Sequence, residues 1–355
     1  MIAVLADDLS GAAELAGIAF HHGLSVEVQT VFDPATESDV ICVDSDTRLL
    51  TADEAGKRVA EIARAILAAH PAWIFKKCDS VLRGHVLAEA RAVAEAAGLR
   101  RVRLVPANPS RGRIIENGRY LIEGKPLDRT PFARDSHHPR HTARVKDLLG
   151  DPGDEVGVPD ILTTGDVQRE ARLLDARTLP TGAADFFRAL LAVRIPARPP
   201  APQPPVTTGR TLVVCGSAAA WPQRAQEAAR HAVRACPLPH DHDTLVRALT
   251  ADGRVLLGIG EGPVTREKSS RELTRELIDT AIPLFLAARP ERLLLEGGDT
   301  AAAFMRATGW SRLRVVGAIA DAAVLEPVGV TPAPRLHIKP GSYAWPAELW
   351  PPRNT

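Results

Sequence analysis

Short apolar runs alternate with amphipathic stretches along the whole chain. Residues 2–5 are a continuous apolar run that stops at Ala6-Asp7-Asp8. Apolar positions then recur with helical spacing over residues 10–22, with Asp8 or Ser10 placed to cap the helix. Residues 25–30 and 40–43 read as two further strands, the second leading into Asp44-Ser45-Asp46-Thr47-Arg48. A helix is predicted over 52–69, and a strand over 73–75 that ends at Lys76-Lys77-Cys78-Asp79-Ser80. A helix over 86–97 and a strand over 102–105 follow, before Pro106-Ala107-Asn108-Pro109. Strands and helices in this order build a mostly parallel sheet.

The rhythm restarts after residue 209. A strand is predicted over 211–215 with a turn at Gly216-Ser217, then a helix over 223–233 and a strand over 254–258. A long helix over 270–288 and a strand over 292–295 lead into Glu296-Gly297-Gly298-Asp299-Thr300, with a helix over 301–308. Between the two runs lies a proline-rich stretch, residues 196–209. Proline fixes φ and lacks a backbone donor, so this stretch makes neither helix interior nor central strand and favours an extended spacer. The predicted fold class is α/β, with two domains, each a mostly parallel sheet flanked by helices. Their bounds are 1–195 and 210–355, with 196–209 as linker.

Composition removes several function classes. A chain of 355 residues is long enough for two hydrophobic cores. Its 44 basic and 43 acidic side chains sum to a net charge of +1, which argues against a nucleic-acid partner. No apolar run reaches the roughly 20 residues of a membrane-spanning helix. The first residues carry two aspartates and no basic run, unlike a signal peptide. Cys42, Cys78, Cys215 and Cys236 are far apart, without zinc spacing, and a cytoplasmic location is expected. Lysine is scarce, yet Lys76, Lys77 and Lys339 all fall in polar clusters.

Those clusters recur where ligands bind in open parallel sheets, just beyond the carboxyl ends of strands. In the first half they comprise Asp7-Asp8, Asp44 to Arg48, Lys76 to Ser80 with Arg83-Gly84, and Asn108 to Arg113. Cations there suit a carboxylate or phosphate, and carboxylates suit hydroxyls, so a small polyhydroxy acid fits the mixture. Asp135 follows the last cluster and is a further candidate. In the second half the clusters are glycine-rich: Cys215-Gly216-Ser217, 258–262, Glu296 to Thr300, and Lys339-Pro340-Gly341-Ser342. Glycines let backbone approach phosphate oxygens, and helix N-termini aim N–H groups at them. Neither GxxxxGK[ST] nor GxGxxG occurs at these turns. His137, His138 and His141, and His240 to Asp243, flank prolines without the spacing of a helical metal site, so no protein-held metal is expected. Cys78 and Cys215 lack an adjacent histidine, which speaks against thiol catalysis.

Taken in order, ADDLSGAAELAG, VDSDTR, KKCDSVLRG and NPSRGRIIENGRYLIEGKPLDRTPFARD resemble the N-terminal domain of the four-carbon acid sugar kinases. VVCGSAAAWPQRAQ, LEGGDTAAAF and HIKPGSY resemble the nucleotide-binding domain of the same family. The resemblance implies an enzyme that uses ATP and Mg2+ to phosphorylate the terminal hydroxyl of a tetronate or 3-oxo-tetronate in an interdomain cleft. It places Asp7, Asp8, Arg48, Lys77, Asp79, Ser80 and Arg83 on the acid-sugar side, with Arg111 added from the adjacent cluster. On the nucleotide side it places Ser217, Gly297, Gly298, Asp299, Thr300 and Gly341. Implied partners are a small acid sugar and ATP, with no nucleic acid and no membrane; a homo-oligomer stays open.

In this reading catalysis is positioning and charge stabilisation. Lys77, Arg48 and Arg83 bind the carboxylate or the transferring group, and Asp8 or Asp79 accepts the hydroxyl proton, Asp8 being favoured. The chain departs from the family pattern at Ser10, Ala13-Glu14, Cys78, Trp221-Pro222, 319–324 and Ala344. Trp221 and Ala344 motivate an alternative, a non-catalytic sensor with a degraded nucleotide site. A doubly wound oxidoreductase fits the alternation but lacks GxGxxG after the first strand.

Overall fold

A computed structural model describes residues 1–135, 138–196, 198–199, 209–218, 220–260, 268–319, 322–341 and 345–350. Most of the predicted linker, part of the turn at 319–324, the cluster end at 261–262, and His137, Ser342 and Ala344 lie outside the described residues. The chain divides into two compact units, Met1–Pro200 and Ala201–Thr355.

In the first unit, strands β1 (Ile2–Ala6), β2 (Val26–Gln29), β3 (Val40–Asp44), β4 (Ile74–Lys77), β5 (Arg101–Val105), β9 (Val156–Gly157) and β10 (Thr178–Gly182) pair in parallel. Their spatial order is β2-β3-β1-β4-β10-β5-β9. Helices α1 (Leu9–His21), α2 (Ala52–Ala68) and α3 (Val86–Ala96) connect the first of these strands. IAVLA in β1 and VICVD in β3 are buried throughout, as expected of strands covered on both faces. Thr51 and Glu54 close a reciprocal capping box that starts α2. A separate antiparallel sheet, β6 (Arg113–Glu116), β7 (Arg119–Ile122) and β8 (Lys125–Pro126), interrupts the alternation after β5.

The chain leaves β1 on one side to form β2 and β3, then crosses to the other side for β4. That reversal puts the carboxyl end of β1 at a topological switch point, where open sheets hold ligands. Register makes the strand ends level: Ala6 pairs with Asp44 and with Lys77, and Gly182 pairs with Lys77 and with Val105.

The second unit repeats the plan. Strands β11 (Thr211–Cys215), β12 (Arg234–Pro237), β13 (Arg254–Gly258), β14 (Arg292–Glu296), β15 (Arg312–Ile319), β16 (Ala322–Pro327) and β17 (Arg335–Lys339) lie in the order β12-β13-β11-β14-β17-β16-β15. The first five of that order are parallel, and β16 and β15 add antiparallel strands at one end. Its switch point falls between β11 and β14, where Cys215 pairs with both Gly258 and Glu296, and Glu296 with Lys339. Trp221, Trp345 and Trp350 pack with Val213, Leu256 and Leu294 into the core. None of the described helices is long and apolar enough to cross a membrane.

Candidate active site

Three consecutive strand ends deliver the charged residues of the first unit. At the end of β1, Asp8 caps α1: its Oδ1 accepts from the Gly11 N–H at 2.8 Å. Asp8 Oδ2 accepts from the Ser10 hydroxyl at 2.6 Å and from Arg48 Nη1 at 2.8 Å. Arg48, after β3, also donates through Nε to Asp7 Oδ2 at 2.8 Å, and its Nη2 stands 3.8 Å from Asp79 Oδ1. One guanidinium therefore ties together the loops after β1, β3 and β4.

The loop after β4 is held by its own arginine. Arg83 Nε and Nη2 fork onto the Asp79 carboxylate at 3.0 and 2.8 Å, and the Val81 and Arg83 N–H groups donate to the same carboxylate. Arg83 Nη1 reaches Asp135 Oδ2 at 3.1 Å. Arg113, at the start of β6, donates to the Ser80 hydroxyl. The Phe132 ring lies 5.5 Å from the Arg83 guanidinium and 5.6 Å from that of Arg113. His138 Nε2 donates to the Arg48 carbonyl at 2.8 Å.

Two lysines at the end of β4 face opposite ways. Lys76 is fully buried in an ion pair with Glu89 of α3 at 2.7 Å, a partnership that holds the sheet to the helix. Lys77 donates to the Cys78 carbonyl at 2.8 Å and lies 3.8 Å from Glu14 Oε2 of α1. Gly11 suits this crowding: a Cβ there would sit 2.9 Å from Asp8 Oδ1 and 3.3 Å from Lys77 Nζ and displace them.

The carboxyls are electrostatically unequal. Burial pushes Asp79 up, but Arg83 and Arg48 overcome it and hold the group well below the ordinary value. Burial likewise opposes Arg48, Lys76 and Lys77 at Asp7, which ends up lowered. Asp44 is driven well above the usual carboxylate range by burial and by the negative charge of Asp46, Asp8 and Asp7. Burial also raises the Cys78 thiol to about 12, so it stays protonated and inert near neutrality.

In the second unit the glycine-rich loops meet at the switch point. A Cβ on Gly216 would overlap the Thr300 side chain, so the two loops approach as closely as backbone allows. Gly297 adopts φ 104° and donates its N–H to the Lys339 carbonyl at 2.9 Å. Helix Gly298–Thr308 begins immediately and has no side-chain cap, which leaves its first N–H groups for a ligand. Gly341 lies against Ser217, where a Cβ would come within 3.3 Å of the serine Cβ. Beneath these loops Glu296, fully buried, accepts from Arg224 Nε at 3.0 Å, Lys339 Nζ at 2.9 Å and Trp345 Nε1 at 3.1 Å. Burial lowers Lys339 to about 8 even with Glu296 beside it. These loops fit a polyphosphate: glycines at the closest approaches, an uncapped helix start, and a lysine beside them.

Residues 2–190 match the model of the sugar-binding N-terminal domain family. The chain belongs to that family. A D-erythronate kinase from Heliobacterium modesticaldum is 34% identical over 154 residues, which are 42% of this chain and 35% of that relative. The chain thus spans about a third of that relative's length. A D-threonate kinase from Cupriavidus necator is 27% identical over 410 aligned positions, covering 98% of this chain and 96% of the relative. The crystal structure of a Salmonella typhimurium LT2 protein superimposes with TM-score 0.78 at 15% identity, covering 97% of this chain and 96% of that one. At that identity the likeness establishes the fold. The family match and the kinase relatives uphold the motif resemblance to the four-carbon acid sugar kinases.

For this member of the sugar-binding family, the structure gathers Asp7, Asp8, Arg48, Lys77, Asp79, Ser80 and Arg83 at adjacent strand ends. Arg111 lies exposed in a 3-10 turn, while Arg113, two residues on, is the buried arginine on Ser80. Gly112, with φ 64°, makes the turn that starts β6 at Arg113. Asp8 and Asp79, the expected proton acceptors, have both carboxylate oxygens already engaged. Of the nucleotide-side residues, Ser217, Gly297, Gly298, Thr300 and Gly341 surround one set of loops, and Gly298 to Thr300 lie in the first helical turn rather than before the helix. Trp221, the first residue of the helix Trp221–Arg230, is 7% exposed, its ring packed into the core against Gly258. Sequence reasoning missed Glu296 as the anchor of Lys339, and Glu14 and Glu89 as lysine partners. Among the described residues no group of His, Cys, Asp and Glu is gathered to hold a metal ion.

Proposed function

We propose that this chain is a kinase that uses ATP to phosphorylate the terminal hydroxyl of a four-carbon acid sugar, a tetronate or 3-oxo-tetronate. The observation that carries the reading is a contrast between two helix starts. The N-terminus of α1 is filled by the chain's own carboxylate, Asp8, whereas helix Gly298–Thr308 has no side-chain cap and begins beside Lys339. A carboxylate at α1 repels a dinucleotide pyrophosphate and argues against the oxidoreductase alternative. The open N-terminus attracts a phosphate. Names of the relatives support the substrate class.

On the acid-sugar side, Lys77, Arg48 and Arg83 supply the positive field for the substrate carboxylate, and Ser80 and the aspartates meet its hydroxyls. Gly216, Ser217, Gly297 to Thr300, Lys339 and Gly341 hold the nucleotide, with Mg2+ arriving on its phosphates. ATP supplies the phosphoryl group; the chain's part is to align acceptor and donor and to stabilise charge. Because Trp221 fills the core, it gives no support to a degraded nucleotide site.

The test is an ATP-consumption screen over four-carbon sugar acids, paired with thermal shifts by Mg-ATP and by NAD. Acid-dependent ATP consumption and stabilisation by Mg-ATP are expected. Stabilisation by NAD alone, with no acid-dependent consumption, would overturn the reading.

A further inference from the structure

We propose that Asp7, rather than Asp8 or Asp79, is the carboxylate that accepts the proton of the reacting substrate hydroxyl. This rests on the kinase reading above and deepens it. The argument is an inventory of acceptor oxygens. Asp8 Oδ1 holds the Gly11 N–H, and its Oδ2 takes both the Ser10 hydroxyl and Arg48 Nη1. Asp79 Oδ2 takes two backbone N–H groups and Arg83 Nε, and its Oδ1 takes Arg83 Nη2. Asp7 differs. Its Oδ2 takes Arg48 Nε, while its Oδ1 is buried with no hydrogen-bond partner among the described residues.

A buried carboxylate oxygen left without a donor carries the full desolvation penalty of a charged group, so most such atoms are satisfied. This one belongs to a residue 3% exposed just beyond the end of β1, at the switch point where the ligand is expected. The missing donor is what a substrate O–H provides. Arg48 fixes the other oxygen and so orients the free lone pairs. Arg48, Lys76 and Lys77 together hold its pKa below the ordinary value against its burial. Neighbouring Asp44 is pushed the opposite way, well above the usual carboxylate range, by burial and by the negative charge of Asp46, Asp8 and Asp7. In the step itself, the substrate hydroxyl oxygen forms a bond to the γ-phosphorus of ATP and its proton passes to Asp7 Oδ1. The bond from that phosphorus to the bridging oxygen breaks, and its electron pair stays with the departing diphosphate.

The experiment compares Asp7→Asn and Asp8→Asn in the full chain, measuring kcat, acid-sugar affinity by calorimetry without turnover, and melting temperature with and without the acid. Asparagine caps a helix as well as aspartate, so Asp8→Asn keeps α1 intact. Loss of a general base lowers turnover by roughly 100-fold or more. Asp7→Asn is therefore expected to lose about that much kcat with affinity changed less than about tenfold, whereas Asp8→Asn should weaken acid-sugar affinity with a kcat loss at least about tenfold smaller than that of Asp7→Asn. Asp7→Glu retains the charge against Arg48 but displaces the acceptor oxygen by one methylene, so it should fold and turn over about tenfold or more slowly. Turnover within tenfold of wild type in Asp7→Asn, an equal loss in Asp8→Asn, or wild-type kcat in Asp7→Glu would each overturn the assignment. A wild-type chain inert towards every four-carbon acid would overturn the kinase reading itself, and the Asp7 role with it.

Discussion

Replacing Glu296 with glutamine removes one negative charge from a site that water does not reach. Glu296 is 0% exposed, and its two cationic partners, Arg224 and Lys339, have side chains 2% and 5% exposed. Glutamine keeps the length and one carbonyl acceptor for Trp345 Nε1 but leaves two buried cations facing a neutral amide. Breaking a buried ion pair from one side costs about 3–5 kcal/mol. The lower end applies here. Arg224 retains Glu227, and Lys339, already lowered to about 8 by burial, sheds its proton more readily once the anion is gone. A loss of about 3 kcal/mol corresponds to roughly 6–12 °C in melting temperature for a unit of this size. Lys339 is also among the residues proposed to hold the nucleotide, and losing a charged hydrogen bond to a phosphate costs about 1.5–3 kcal/mol, or roughly 10- to 150-fold in ATP affinity. The assays are urea denaturation followed by tryptophan fluorescence and ATP KM at pH 7 and pH 9. In the wild type, KM should rise across that interval as Lys339 loses its proton near pH 8. In Glu296→Gln it should be high at both values. Wild-type stability together with an unchanged, pH-independent KM would refute the reasoning.

Three further outcomes are expected. Lys76→Met leaves Glu89 as an unpaired buried carboxylate and should cost about 3–5 kcal/mol in urea denaturation, with Lys76→Met/Glu89→Leu recovering a good part of it. Asp79, held well below 3.8 by its arginines, contributes stability that is present above that pH and is lost as pH falls below it; Asp79→Asn should be less stable at pH 7 and show a flatter acid limb in pH-dependent thermal melts. Gly11→Ala gains about 1 kcal/mol of helix propensity and loses about 1 kcal/mol of capping as Asp8 is displaced. Its melting temperature should hardly move while KM for the acid sugar rises severalfold.

Much of this architecture is legible in the chain because parallel strands buried on both faces leave unbroken apolar runs. IAVL, VICV and TLVVC stand out for that reason, and the long helix is bounded at 270–288 as its Ser269/Glu272 capping box requires. What escapes is what breaks those rules. β10 carries Pro180 in the middle of the sheet, between β4 and β5, and proline ordinarily argues against an interior strand. The hairpin strands β6 to β8 are two to four residues long, too short for a period to show. At the candidate site, motif order located the strand ends but not the partners. Arg111 and Arg113 differ only by a left-handed glycine between them, and Glu14 and Glu89 look like ordinary helix carboxylates until the fold sets them against lysines.

The most direct measurement is product analysis by phosphorus NMR and mass spectrometry after incubating the purified chain with Mg-ATP and D-threonate or D-erythronate. The account predicts ADP and a tetronate phosphorylated at its terminal hydroxyl in equal amounts. ATP left intact with every four-carbon acid, or hydrolysed to free phosphate at the same rate with and without them, would contradict it.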